Sequence, residues 1–120
     1  MNWKVSYYKE KISQPSPVEE FINDLGKENK KAQVKILRSL VLLAEYGLDL
    51  GFPYISNVAN KLWELRVPFG NNHYRILFTI ASKRIIILLH AFTKKTGKIP
   101  DRELKIAYQR LSVVSKERRS

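Results

Sequence analysis

Arg66 and Arg75 speak most directly to chemistry, because each sits partway along a run of apolar, aromatic and β-branched residues that reads as a strand. A guanidinium at an interior strand position costs desolvation unless an anion or a solvent-filled groove receives it. Its planar fork fits the oxygens of a phosphate and stays charged at every relevant pH. Lys94, Lys95 and Lys98 then crowd into the KKTGK segment that follows a further such run. Together these cations suit a surface that grips a phosphate backbone.

Other polar groups nearby have two readings each. Glu64, two residues before Arg66, can act as a base or pair with that arginine. His90 can transfer protons or can be a hydrogen-bonded residue of a buried strand. His73 falls at a hairpin end. Trp63 and Phe92 can stack on bases or fill the core. Metal chemistry is disfavoured: there is no cysteine, the two histidines lack zinc spacing, and Glu64, Asp101 and Glu103 form no recognisable carboxylate constellation. Neither a Ser-His-Asp arrangement nor a phosphate-cradling glycine loop is present, and no cofactor is expected.

The elements that must position these residues follow from periodicity. Residues 3–9 alternate as a first strand. Ser16-Pro17-Val18-Glu19 supplies an N-cap, a proline at the first helical position and a capping glutamate, and the helix it opens has the apolar stripe Val18, Phe21, Ile22 and Leu25. Gly26 is expected to end it. A longer helix over about 27–46 buries Ile36, Leu37, Leu40, Leu43 and Ala44 and stops at Gly47; Lys27, Lys31, Lys35 and Arg38 recur along its other side, as a solvated face or a nucleic-acid stripe. Residues 47–60 read as a connector that tacks Tyr54 and Ile55 onto the core. Strands follow at 62–67, 73–80 and 84–92, joined by links short enough for antiparallel hairpins, and the unbroken apolar run Ile85 to Leu89 in the last reads as a central strand covered on both faces. Pro100 opens a last helix with Leu104, Ala107, Tyr108 and Leu111 inward, ahead of a frayed KERRS tail.

The reading is therefore α+β: an antiparallel-rich small sheet in the order β-α-α-β-β-β-α, with helices packed on one face and the other left open. Glu64, Arg66, His73, Arg75, Ile86, Leu88 and His90 are expected on the open face. A length of 120 residues suits one domain spanning 1–120. The net charge of +11 is lopsided, since residues 61–120 hold 14 of the 22 basic and 4 of the 11 acidic residues, a net of +10 against +1 for residues 1–60. That asymmetry favours a polyanionic partner, nucleic acid or an acidic protein. No apolar run nears the roughly 18 residues that span a bilayer, and the MNWKVSYYKE start lacks a secretory h-region, so no membrane is expected and the cytoplasm is the expected location.

Four segments taken together, LWELR (62–66), HYRILF (73–78), LLHAFTKK (88–95) and a proline-led helix with ELKIA (103–107), resemble the RelE/HigB-like toxins of bacterial toxin–antitoxin pairs, in their phage-derived HigB-type branch. The resemblance implies a RelE-like fold and a ribosome-dependent endoribonuclease that cuts messenger RNA in the decoding site. It also implies a HigA-like partner antitoxin with a helix-turn-helix domain, in a toxin–antitoxin hetero-oligomer. Matched residue by residue, the family's basic strand position falls on Arg66, its YR arginine on Arg75 and its basic residue after the last strand on Lys94, with Lys95 beside it. Departures are Glu64, where some relatives have lysine, Ile99 in place of the usual threonine before the helix proline, and the lack of a matching site tyrosine, Tyr108 reading as helix core.

Metal-free RNA cleavage needs the 2′-hydroxyl in line with its phosphorus, charge stabilisation on the non-bridging oxygens and proton transfers at the 2′ and 5′ oxygens. Arg66, Arg75 and Lys94 suit the second task and His90 the third. Glu64, His73, Lys95 and Lys98 are candidates for RNA contact. Two other functions fit the same residues: a ParE-like inhibitor of DNA gyrase acting by protein contact, and a non-catalytic basic RNA-binding module.

Overall fold

The computed structural model describes residues 2–94 and 97–119, with side chains described through Glu117. Strand β1 (Lys4–Tyr7) leads to α1 (Pro17–Glu28), which begins as the sequence prescribes: Ser16 Oγ accepts the Glu19 N–H at 3.3 Å and Pro17 takes the first turn. Gly26 does not stop the helix. Asn29 does, because its N–H reaches Leu25 O at 2.7 Å while its Oδ1 caps Ala32 N–H at 3.0 Å, opening α2 (Lys30–Tyr46). Gly26 instead leaves room for the end of the Gln33 side chain, whose Nε2 donates to Ile22 O at 3.2 Å. Gly47, at φ +55°, ends α2 in the left-handed region that glycine tolerates.

After a 3-10 turn at Gly47–Leu50, the expected connector contains an extra edge strand, β2 (Ile55–Ala59). It is short and polar at Ser56 and Asn57, so its alternation is weak; pairing Ile55 with Leu65 and Ser56 with Glu64 creates it. Tyr54 is 53% exposed and not on the core. β3 (Leu62–Phe69), β4 (Asn72–Ser82) and β5 (Ile85–Lys94) form the expected meander, and β1 joins β5 in parallel, giving a mixed sheet ordered β1-β5-β4-β3-β2. Helix α3 (Asp101–Arg119) closes the described chain and takes in most of the basic tail.

The α+β class holds, and so does the element order apart from the inserted β2, with two further corrections. First, helices cover both faces. Helices α1 and α2 pack Val18, Ile22, Ile36 and Leu43 over Leu65, Ile76, Phe78 and Leu88, while α3 packs Ala107 and Val114 over Leu62, Leu77, Leu89 and Phe92 on the other side. The apolar residues on that second face could not stay in water, and α3 covers them. Its inward stripe is Leu104, Ala107, Leu111 and Val114, which leaves Tyr108 exposed; Leu37 on α2 is likewise exposed.

Second, β5 does not keep one alternation. Leu77 pairs with His90 and Phe78 with Leu88, so Leu89 is an extra residue opposite that step. Ile86 and Leu88 therefore face α1 and α2, whereas Leu89 and the expected His90 lean towards α3. The bulge re-phases the strand, so that its end delivers Phe92 and Lys94 to the α3 side.

Phe78 is fully buried at the centre of the sheet. Phe78→Ala is expected to cost about 3–5 kcal/mol in urea unfolding, against under about 0.5 kcal/mol for Ile12→Ala at a position 95% exposed.

Candidate functional site

The site begins with an arrangement that a sheet ordinarily avoids. Arg66 on β3 and Arg75 on β4 are direct cross-strand partners, and like charges so placed repel. Glu64, two residues along β3 on the same face, resolves the conflict. Its Oε1 accepts Arg66 Nε at 2.8 Å and Arg75 Nη1 at 3.3 Å, and its side chain is only 4% exposed. Of its two readings, Glu64 takes the ion-pair one, to both arginines.

The cluster is not neutral. Lys94 enters from the end of β5, where burial first and then repulsion by Arg75 and Arg66 hold its ammonium pKa below the usual lysine range, with Glu64 pulling the other way. Three cations thus share one carboxylate. Two buried polar atoms among the described residues have no hydrogen-bond partner, and both lie here: Glu64 Oε2 and Arg75 Nε. A buried ion cluster that is incomplete and net positive stabilises the chain poorly but is suited to receiving an anion.

A hollow of about 360 Å³ opens over this cluster. Glu64, Arg66, Lys94 and Lys98 line it, with Ser56 from β2 and Asp101 from the start of α3. Helix α3 therefore narrows the expected open face to a basin at one end of the sheet. Arg75 lies deeper, 9% exposed, beneath Glu64. His73 sits at the β4 end, opposite Pro68 and Lys94. Lys95 lies outside the described residues.

His90 is not among the residues lining this hollow. Arginine can only donate, so the 3.3 Å contact from Arg110 Nη1 requires an unprotonated Nδ1; Nε2 then carries the proton and donates to Glu103 Oε1 at 2.7 Å. Burial pushes the imidazole pKa below its usual value and Arg110 adds to this, against the opposing bond and charge of Glu103. His90 thus fastens β5 to α3. Trp63 and Phe92 belong to the cores on either side of the sheet.

Sequence reasoning passed over two features. Arg110 also donates to Leu89 O at 2.7 Å and pairs with Glu10 at 3.4 Å, so it locks α3 to the bulge. Phe52, 78% exposed, lies against Arg66, whose Cζ is 5.4 Å from the ring centroid. A surface aromatic in a Gly-Phe-Pro-Tyr turn was the available signal. Among the described residues no group of three His, Cys, Asp or Glu side chains is placed to hold a metal ion, and no helix is long and apolar enough to cross a membrane.

Removing Glu64 leaves two guanidiniums facing each other without their shared counter-charge. Glu64→Ala is expected to destabilise the fold by about 3 kcal/mol, and Arg75→Met in that background to recover part of the loss, both measured by urea unfolding. For His90, a folded pKa below the unfolded 6.5 means the stabilisation is complete above that pH and is lost as pH falls through the folded value. Thermal melts at pH 7.5 and 5.5 should show a drop that His90→Gln reduces.

A family model described as Phage derived protein Gp49-like (DUF891) matches residues 23–112, which is 90 of the 120 residues and takes in Glu64, Arg66, Arg75 and Lys94. No curated protein matches the chain. The chain belongs to the Gp49-like family, a family of RelE/HigB-like toxins of toxin–antitoxin systems.

Proposed function

We propose, with that membership as the premise, that the protein is a HigB-type toxin acting as a metal-independent, ribosome-dependent endoribonuclease on messenger RNA. The observation that carries this reading is the basin itself: Arg66 and Arg75 held by one buried carboxylate, with Lys94 beside them. Such a site offers what RNA cleavage by its own 2′-hydroxyl requires. The hydroxyl oxygen gives its proton to solvent water and attacks the adjacent phosphorus, the bond to the 5′ oxygen breaks as that oxygen takes up a proton, and the products are a cyclic 2′,3′-phosphate and a free 5′-hydroxyl.

Arg66, which lines the hollow, stabilises the charge that builds on the non-bridging oxygens, and Arg75, buried behind Glu64, adds its positive field in a setting where burial strengthens each charge. Lys94, its pKa lowered by burial and by the two arginines, is the better proton donor to the departing 5′ oxygen for that lowering. Glu64, with Oε1 committed to both guanidiniums, is their positioning residue. Lys98 at the rim contacts the neighbouring backbone. A bound His90 outside the hollow argues against the proton-transfer role that its type suggested. The reading places the protein in the cytoplasm with ribosomes and messenger RNA, held inactive by a HigA-like helix-turn-helix antitoxin in a hetero-oligomer.

Incubation with translating ribosomes, followed by mapping of messenger-RNA ends, tests this directly. Codon-phased cuts that persist in EDTA are expected, reduced roughly 100- to 1,000-fold by Arg75→Ala or Lys94→Ala in protein that still folds. Intact RNA with trapped gyrase–DNA complexes would instead assign a ParE-like activity, and loss of cutting on chelation would overturn the metal-free mechanism.

A further inference from the structure

Arg66 lines two hollows at once. One is the cation basin; the other, about 350 Å³, lies between α2, the 3-10 turn and β3. Leu42, Leu50, Leu65 and Pro68 form its walls, and no carboxylate is among the lining residues. Lys35 and Arg38 stand at its rim, Lys35 fixed by a hydrogen bond to Pro68 O. The second hollow is thus apolar inside and positive at the mouth.

Its remaining wall is Tyr54, 53% exposed, and beside it Phe52 lies 78% exposed against the Arg66 guanidinium. These aromatics are not on a loose loop. Tyr54 and Ile55 both donate backbone N–H bonds to Gly51 O at 2.9 Å, and Arg66 N–H donates to Tyr54 O at 2.8 Å, which fixes the backbone of this turn relative to β3. Large exposed aromatics beside a guanidinium are what unpaired bases stack upon, and a cationic rim is what their phosphates need.

We propose that this slot takes the unpaired nucleobase next to the scissile phosphate, stacked on Tyr54, with Phe52 holding Arg66 where it can reach that phosphate. The inference rests on the nuclease reading and names how its substrate is positioned. Arg66 joins the two parts: it serves the phosphate on one side and edges the base slot on the other. Arg38 then meets the phosphate of the following nucleotide. Lys35 and Arg38 on α2, which sequence alone leaves as a solvated face or a nucleic-acid stripe, thereby acquire a ligand.

The test is binding, kept separate from cleavage. A fluorescent seven-nucleotide single-stranded RNA, made uncleavable by 2′-deoxy substitution, is titrated against the full chain and against Tyr54→Ala, Tyr54→Phe and Phe52→Ala; the exposure of both positions and matched melting curves secure the fold. Tyr54→Ala is expected to weaken binding roughly 5- to 150-fold, with Tyr54→Phe close to the wild type. One abasic substitution along the RNA should weaken wild-type binding by a similar factor and cause no further loss in Tyr54→Ala. That pattern supports the slot even if RNA with its 2′-hydroxyls restored is not cut, in which case only the nuclease reading fails. Binding of Tyr54→Ala within twofold of wild type, or abasic losses undiminished in that variant, would overturn the slot while cleavage could stand. Absence of wild-type binding would also overturn it and would leave the hollow to a protein partner.

Discussion

One buried carboxylate governs this end of the molecule. Without Glu64, the β3–β4 register would set two guanidiniums against each other across neighbouring strands; with it, they share one oxygen and become a rigid pair. The arrangement is a poor way to stabilise a fold, because desolvating charges costs as much as their attraction returns and two polar atoms are left over. It is a good way to keep positive charge fixed and waiting. Burial first, and then the same imbalance of charge, leave the neighbouring lysine holding its proton less tightly than usual.

The rest of the fold builds the walls of that site. Helices α1 and α2 anchor the sheet from one side, and α3 covers the other except at the end where Arg66 and Lys94 emerge. The extra residue at Leu89 shifts β5 by one, so that a strand with core residues on both sides still ends with Lys94 in the basin. His90, Glu103 and Arg110 tie α3 to that bulge. Helix position and strand phase are therefore coupled through three side chains that do not line the cation basin.

Much of this was legible in the residues. Alternation around Trp63, Leu65 and Tyr74, Ile76, Phe78 was strong enough to place Arg66 and Arg75 on a common face, and Ser16-Pro17 fixed a helix start to the residue. What was not legible depended on tertiary pairing. A five-residue edge strand with Ser56 and Asn57 has little period of its own and exists because β3 offers an edge. The unbroken apolar run at Ile85 to Leu89 signalled burial on both faces but could not show where the phase would slip. The covering of the second face was implied by that same run, and the expectation of an open face overlooked it. Gly26 looked like a helix stop because glycine often is one; here Asn29 had the hydrogen bonds and Gly26 the close contact. Glu64 could be read as a base or as a counter-ion, and only its distance to a second arginine, eleven residues on, decides for the latter.

The central claim is that Arg66, paired with Arg75 through Glu64, receives a phosphate of RNA. Nitrogen-15 spectra of the arginine Nε–H groups, recorded while an uncleavable RNA dinucleotide is added, report on it atom by atom. The account predicts that the Nε signals of Arg66 and Arg75 both move, Arg66 most because it lines the hollow whereas Arg75 is buried behind Glu64, while that of Arg102 on the outer face of α3 stays in place. Movement of neither arginine in the basin, with RNA bound elsewhere on the molecule, would contradict it.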